Sequence, residues 1–218
     1  MVETTRLFLF RHGEVDAAWR GRIYGDLDVP LSEKGEQESR EAAARLEGVR
    51  LDAVVSSGLA RAEFLANLLR EDRGLGRRDE ERLREIDRGE WRGLRPTELD
   101  DEEGNAWERW HSAPVDTSPP GGESLGDLAK RVREACRELV QEYPGGHVAI
   151  AAHSWVVRSL ASEAAGIPLE RVPRMVLPTG SLVVVDASPQ GLRPTLSGFG
   201  LDRVPLSKRG WFRGPKAN

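Results

Sequence analysis

Two short apolar runs, far apart in the chain, each end on a histidine. Leu7-Phe8-Leu9-Phe10 leads into Arg11-His12-Gly13-Glu14, and Val148-Ala149-Ile150-Ala151-Ala152 leads into His153. A β-rich run of this length between polar residues reads as a buried strand, so each histidine stands just past a strand's carboxyl end. In open α/β sheets that edge is where ligands bind. A neutral imidazole is a nucleophile at neutral pH, and a guanidinium fork fits the oxygens of phosphate. Two imidazoles at one edge, one of them preceded by an arginine, therefore suit the binding and attack of a phosphoryl group.

The pattern between the two runs supports a parallel sheet covered by helices. Ser32, with Glu33 and Glu36 behind it, suits the start of a helix running to about Leu46. Asp52 to Ser56 reads as a second strand, and a helix is expected from about Leu59 to Leu69. Ser124 to Glu142 repeats apolar residues at Leu125, Leu128, Val132, Ala135 and Leu139, a helical stripe stopped by Pro144-Gly145-Gly146. His147 to Ala152 is a strand and Ser154 to Ala165 a helix, with further strands at Ser181 to Asp186 and Thr195 to Phe199. Arg77 to Leu83 reads as an edge strand. The strand–helix alternation gives a three-layer α/β/α sandwich with a mostly parallel central sheet. One domain is expected over residues 1–218, with a polar, irregular insertion over the active edge at about 92–120 and a basic tail at about 203–218.

Composition narrows the function. The net charge is −4, which gives no general affinity for polyanions and argues against nucleic acid as a partner. Cys136 is the single cysteine, so no internal disulfide and no cysteine-built metal cluster is expected. No apolar stretch approaches the length of a membrane span and the N-terminus lacks a signal-peptide pattern, so a soluble cytoplasmic protein is the expectation. No phosphate-binding Gly-x-x-x-x-Gly-Lys loop and no His-Glu-x-x-His helix occurs, so neither a metal nor another cofactor is called for. A homodimer is allowed by the sequence and not specified by it.

Several spaced segments together resemble the histidine phosphatase superfamily, branch 1, with its phosphoglycerate mutase-like fold. They are Arg11-His12-Gly13-Glu14, Asp28-Val29-Pro30-Leu31-Ser32-Glu33-Lys34-Gly35, Ser57-Gly58-Leu59-Ala60-Arg61-Ala62, Leu83-Arg84-Glu85-Ile86, Gly121-Gly122-Glu123-Ser124 and the strand-ending His153. The resemblance spans almost the whole chain. It implies that His12 takes the phosphoryl group, that Arg11, Arg61 and His153 hold the phosphate oxygens, and that Glu85 protonates the leaving oxygen. It further places Gly13, Gly25, Arg88 and Ser154 along the substrate, and it implies a small phosphorylated metabolite as the partner. Such a set of fixed cations stabilises charge spread over three equatorial oxygens without a metal.

Some positions depart from the pattern. Many relatives, mutases above all, carry tryptophan and asparagine where this chain has Ala17 and Ala18, and Ser154 and Val15 replace a usual glycine and a usual serine or threonine. These changes favour a phosphatase over a cofactor-dependent phosphoglycerate mutase, which is kept as the alternative. Gly122-Glu123-Ser124-Leu125-Gly126 also fits the nucleophile elbow of serine hydrolases, but that motif needs a strand before it and Ser118-Pro119-Pro120-Gly121 reads as a loop. Ser124 with Asp127 reads better as a helix-capping box. A non-catalytic phosphate-binding protein is the third reading, and the presence of His12, Arg61 and Glu85 speaks against it. Trp91, Trp107, Trp110 and His111 read either as a pocket for an organic leaving group or as packing for the insertion.

Overall fold

The computed structural model describes residues 3–71, 73–101, 104–188 and 191–194. A five-stranded sheet runs through it, built from β1 (Thr5–Arg11), β2 (Ala53–Ser56), β5 (His147–Ala152), β6 (Leu182–Ser188) and β7 (Gly191–Pro194), with β3 (Asp100–Asp101) and β4 (Gly104–Asn105) forming a separate small hairpin. The order across the large sheet is β2-β5-β1-β6-β7. The first three strands are mutually parallel, β6 pairs antiparallel to β1, and β7 pairs antiparallel to β6. Only β6 therefore runs against the common direction, and the sheet is mostly parallel.

Alternation along β1 shows why both faces are covered. Leu7 and Leu9 point into one core with Val55, Val148 and Ile150, beneath α4 (Leu125–Glu142) and α5 (Ser154–Ala164). Phe8 and Phe10 point the other way, with Val54, Ala149 and Ala151, beneath α1 (Glu33–Ala44) and α2 (Ala60–Glu71). A continuous apolar run is what a strand buried on both faces requires, since successive side chains leave opposite sides of the pleat. The result is a three-layer α/β/α sandwich.

Helix starts follow the side chains that cap them. Ser32 caps α1, its Oγ accepting from the Gly35 N–H at 3.0 Å. Ser124 and Asp127 close a reciprocal box at the start of α4, and the Ser124 Oγ–H donates to the Asp127 carboxylate at 2.7 Å. The residues before Ser124 are a turn and not a strand, so the esterase reading lacks its elbow.

Two expectations are revised, and a third lies outside the described residues. Around Arg77 to Leu83 the chain makes one parallel bridge, Ser56 with Asp79, and then turns in a 3-10 helix at Glu81–Leu83. Arg78, Arg82 and Glu80 are engaged in ion pairs there, which favours a tethered edge over a ladder. Residues 92–120 are more ordered than a polar loop, holding the β3–β4 hairpin and α3 (Ala106–Ser112), because the fully buried Trp110 anchors that short helix in the core. Among the described residues the last strand lies at 191–194, while the expected Thr195 to Phe199 strand and the basic tail at 203–218 lie outside the described residues.

One contact joins the β1 exit to α1 with no room to spare. A Cβ on Gly35 would lie 1.9 Å from the Glu14 carbonyl oxygen, and one on Gly13 would lie 1.9 Å from the Gly35 carbonyl oxygen. The Gly13 N–H donates to Ser39 Oγ and the Glu14 N–H to Glu38 Oε2, so the two backbones are locked together. Gly35→Ala must push them apart, and we expect a loss of about 3 kcal/mol or more in urea unfolding. A variant within about 0.5 kcal/mol of wild type would show the contact to be looser than drawn.

Candidate active site

Register alone brings the two histidines together. Arg11 pairs with Ala152 at the ends of β1 and β5, and the next residues are His12 and His153. The His12 N–H continues the ladder to the Ala152 carbonyl at 3.2 Å, and on the other side the Ser57 N–H reaches the Ala151 carbonyl at 3.3 Å. The rings of His12 and His153 lie 5.2 Å apart, centre to centre. Both are buried.

Hydrogen bonds set the tautomer of His12. Its Nδ1 is 2.6 Å from the Gly13 carbonyl oxygen, which can only accept, so Nδ1 carries the proton and Nε2 holds a lone pair. That lone pair faces the Arg61 Nε–H at 3.3 Å. Burial pushes the His12 pKa well below the ordinary histidine value, and the charges of Arg61 and Arg11 push it the same way. His12 is therefore a neutral imidazole with Nε2 directed at a cation. His153 is depressed in the same sense, first by burial and then by Arg61. Its Nε2 meets Ser57 Oγ at 2.7 Å while its buried Nδ1 has no partner among the described residues. Placing the proton on Nε2 leaves Nδ1 as a bare acceptor, which costs less than an orphan donor.

Arg61 enters from the first turn of α2 and is held entirely by neutral groups. Its terminal nitrogens donate to the Leu27 and Gly25 carbonyls at 2.5 and 2.8 Å, and its guanidinium lies 5.3 Å from the centre of the Tyr24 ring. Gly25 has φ +47°, a conformation that suits glycine, and a Cβ there would sit 2.7 Å from the Ile86 carbonyl oxygen. Arg11 donates from one terminal nitrogen to the Leu177 carbonyl, and its buried Nε has no partner among the described residues.

Glu85 is buried at the same edge. Its carboxylate accepts from the Ile86 N–H at 3.0 Å and from the Trp155 N–H at 3.2 Å, and it lies within electrostatic reach of Arg61, Arg88 and Arg158. The neighbouring acids are placed otherwise: Asp87 pairs with Arg92 at 2.7 Å, and Glu90 is exposed. Among the described residues no three His, Cys, Asp or Glu side chains gather as a metal site.

His12, His153, Arg11, Arg61 and Glu85 thus share one edge. The residues expected along the substrate also hold contacts within the protein. Gly13 has no room for a side chain, because the Gly35 backbone fills the space a Cβ would take. Gly25 serves through its carbonyl to Arg61. At the start of α5 the Trp155 N–H is already taken by Glu85, and the Ser154 carbonyl accepts from Arg158 Nε at 3.2 Å. Arg88 is buried among Trp107, Trp110 and Trp155, with its guanidinium 4.0 Å from the Trp110 ring centre. Sequence reading passed over Ser57, Tyr24 and Arg158. Ser57 stands inside a quoted segment and was available as a signal; Tyr24 and Arg158 reach the site only through the folding of a loop and one helical turn.

Comparisons with known proteins show what the whole chain is similar to. The family model for the histidine phosphatase superfamily, branch 1, matches residues 7–198. The chain is 34% identical over 178 residues to a glucosyl-3-phosphoglycerate phosphatase of Mycobacterium tuberculosis, covering 78% of this chain and 79% of that one. It is 31% identical over 184 residues to a probable phosphoglycerate mutase of Shigella boydii, covering 83% and 84%. Among solved structures, the native mycobacterial glucosyl-3-phosphoglycerate phosphatase superposes with a TM-score of 0.79 at 30% identity, over 90% of this chain and 98% of that one. The α-ribazole phosphatase of Shigella flexneri gives 0.77 at 26% identity, over 89% and 96%.

The depressed histidines couple stability to pH. Below an unfolded-state pKa of about 6.5 the unfolded chain takes up protons that the folded site refuses, so stability is full above that pH and is lost as pH falls. In phosphate-free buffer we expect the unfolding free energy to drop between pH 7 and 5. His153→Gln should flatten that slope by up to about 1.4 kcal/mol per pH unit. Parallel slopes for the two proteins would mean that His153 titrates normally when folded.

Proposed function

The chain belongs to the histidine phosphatase superfamily, branch 1, and is a phosphatase acting on phosphoric monoesters; from this premise we propose that it hydrolyses a small phosphorylated metabolite through a phosphohistidine on His12. The observation that carries the reading is the His12 imidazole itself, with its proton held on Nδ1 by the Gly13 carbonyl and its Nε2 lone pair turned toward Arg61.

A phosphoryl group entering between His12 and Arg61 replaces the long Arg61–His12 hydrogen bond with a shorter, charge-assisted one to a phosphate oxygen. Nε2 attacks phosphorus in line, the ester oxygen leaves with the bonding pair, and Glu85 supplies its proton. Water then attacks phosphorus, returning Nε2 to its lone pair and inorganic phosphate to solvent, with Glu85 accepting the proton that the water loses. Arg11 and Arg61 supply the positive charge that in-line transfer spreads onto the equatorial oxygens. His153, one hydrogen bond from Ser57 Oγ, completes the wall on the other side. The segment at 92–120 borders the leaving-group side through Trp107 and Trp110, and acts as the cover of the site. Ala17 and Ala18 are exposed where mutases carry larger groups, which leaves room for water as the acceptor and favours hydrolysis over transfer to a second hydroxyl.

Quenching with labelled substrate in buffer containing EDTA should leave acid-labile, alkali-stable phosphate on His12, and His12→Ala should lose both label and turnover. Acid-stable label, or label on Ser124, contradicts the mechanism. Primer-dependent isomerisation of 3-phosphoglycerate outrunning phosphate release would turn the assignment from phosphatase to mutase.

Glu85→Gln should damage poor leaving groups selectively. We expect kcat/KM for an alkyl phosphate to fall about 10²- to 10⁴-fold and that for p-nitrophenyl phosphate to fall far less. Equal losses on both substrates would make Glu85 a positioning group.

A further inference from the structure

Ser57 stands at the exit of a third strand. β2 ends at Ser56, which pairs with Ala151 on β5, and the Ser57 N–H reaches the Ala151 carbonyl at 3.3 Å. The sheet order β2-β5-β1 therefore sets Ser57, His153 and His12 in a row across one edge, each the first residue past its strand. Ser57 and His153 are both fully buried, with Ser57 Oγ 2.7 Å from Nε2 of His153. Away from water such a bond is stronger, and a donor left unmade is more costly.

The pair is poised between two arrangements. A hydroxyl carries one proton, and a neutral imidazole carries one proton and accepts once. Besides His153, the partner of Ser57 Oγ among the described residues is the Leu59 N–H at 3.4 Å, a donor. With the ring proton on Nε2, the ring donates to Oγ and the hydroxyl proton has no acceptor. With the ring proton on Nδ1, the hydroxyl donates to Nε2 and the Nδ1–H is the donor left over, since Nδ1 is buried without a partner among the described residues. The ring by itself favours the first form; the hydroxyl proton stranded in that form brings the two close. One new acceptor beside Nδ1 is then enough to reverse the order.

A phosphoryl oxygen is such an acceptor. Ser57 already occupies Nε2, so Nδ1 is the nitrogen of His153 left to meet an anion held beside His12, whose ring is 5.2 Å away, centre to centre. Burial acts against a second proton on the His153 ring, and so do Arg61, His12, Arg131 and Arg11. The ring therefore answers the anion by changing which nitrogen carries its proton, while staying neutral. Ser57 is fixed for this purpose: its N–H is tied to Ala151 and its carbonyl accepts from Arg84 Nε at 3.4 Å, so the hydroxyl is the part that turns.

We propose that Ser57 is the positioning residue of a tautomer relay: anion binding moves the His153 proton from Nε2 to Nδ1, and the Ser57 hydroxyl turns from acceptor to donor to hold the new form. The proposal rests on the reading of this edge as a phosphoryl site, and it adds a residue that acts on the ester only through His153. Protons balance, since Ser57 and His153 hold two between them in either form, one on Oγ and one on the ring. Exchange with solvent water carries the ring proton from one nitrogen to the other.

Long-range proton–nitrogen NMR of protein labelled in its histidine rings reads the tautomer directly, with His153→Gln to assign the signal and inorganic phosphate as the probe. In phosphate-free buffer the His153 proton should sit on Nε2, and saturating phosphate should move it to Nδ1. Ser57→Ala should show mixed tautomers without phosphate and bind phosphate about tenfold more weakly, because the Nδ1–H form then leaves Nε2 a buried acceptor with nothing to accept. Its kcat/KM for p-nitrophenyl phosphate should fall by a similar factor, chiefly through KM, since the Nδ1 contact is made in ground state and transition state alike. Ser57→Thr, which keeps the hydroxyl, should recover part of the loss. A His153 proton that stays on Nε2 with phosphate bound, a ring that gains a second proton, or wild-type affinity in Ser57→Ala overturns the relay. Movement of the His12 signals while His153 keeps its tautomer strikes the relay alone, whereas phosphate that moves no histidine signal strikes the phosphoryl-site reading and the relay with it.

Discussion

The parallel pairing of β1 with β5 positions everything at the active edge. The pairing runs without a break from Arg6 with His147 to Arg11 with Ala152, and both strands stop at the same level. Because side chains alternate, a slip of one residue would exchange Leu7 and Leu9 with Phe8 and Phe10 between two differently packed cores. The register is thus held by burial on both faces along its whole length. His12 and His153 inherit that precision, since each is the first residue past its strand, and the locked Gly13–Gly35 contact prevents the exit from β1 from drifting.

The site that results concentrates positive charge while keeping its histidines neutral. Arg61 and Arg158 are satisfied by carbonyl oxygens and ring faces, and Arg88 by ring faces alone. Carboxylates in the same places would make more stable ion pairs and would cancel the field. Neutral acceptors meet the donors and leave the charge available to an incoming anion, which is the arrangement that preorganised electrostatic stabilisation requires. The same charges, together with burial, hold His12 and His153 unprotonated, so an imidazole lone pair and the guanidinium groups around it coexist. The arrangement has a cost in stability: among the described residues the terminal nitrogens of Arg88 and Nδ1 of His153 are buried without a hydrogen-bond partner.

Much of the fold was readable because its signals are local. Strand ends at Ser56 and Ala152, the caps at Ser32 and Ser124, and the apolar stripe of α4 each depend on a few consecutive residues, and each stands where the pattern put it. The misread places depend on partners distant in sequence. Arg77 to Leu83 has the composition of a strand edge, yet its arginines are drawn off to Glu138 and Glu142 on α4. The stretch 92–120 looked irregular because its fully buried anchor, Trp110, packs against groups outside the stretch, Arg88 and Trp155, the latter forty-five residues later in the chain.

The sequence by itself determined which residues stand at the end of which strand, and hence that His12, His153 and Arg11 would meet at one edge, because strand burial and its termination are written in neighbouring residues. Only the tertiary structure decided how those groups are held. That Arg61 turns its Nε–H to Nε2 of His12, that Trp155 turns its N–H to Glu85, and that Arg88 lies among three indoles are outcomes of loop closure and packing between distant segments. No local pattern encodes them, because each depends on the direction in which a side chain leaves its backbone and on what happens to fill the space opposite.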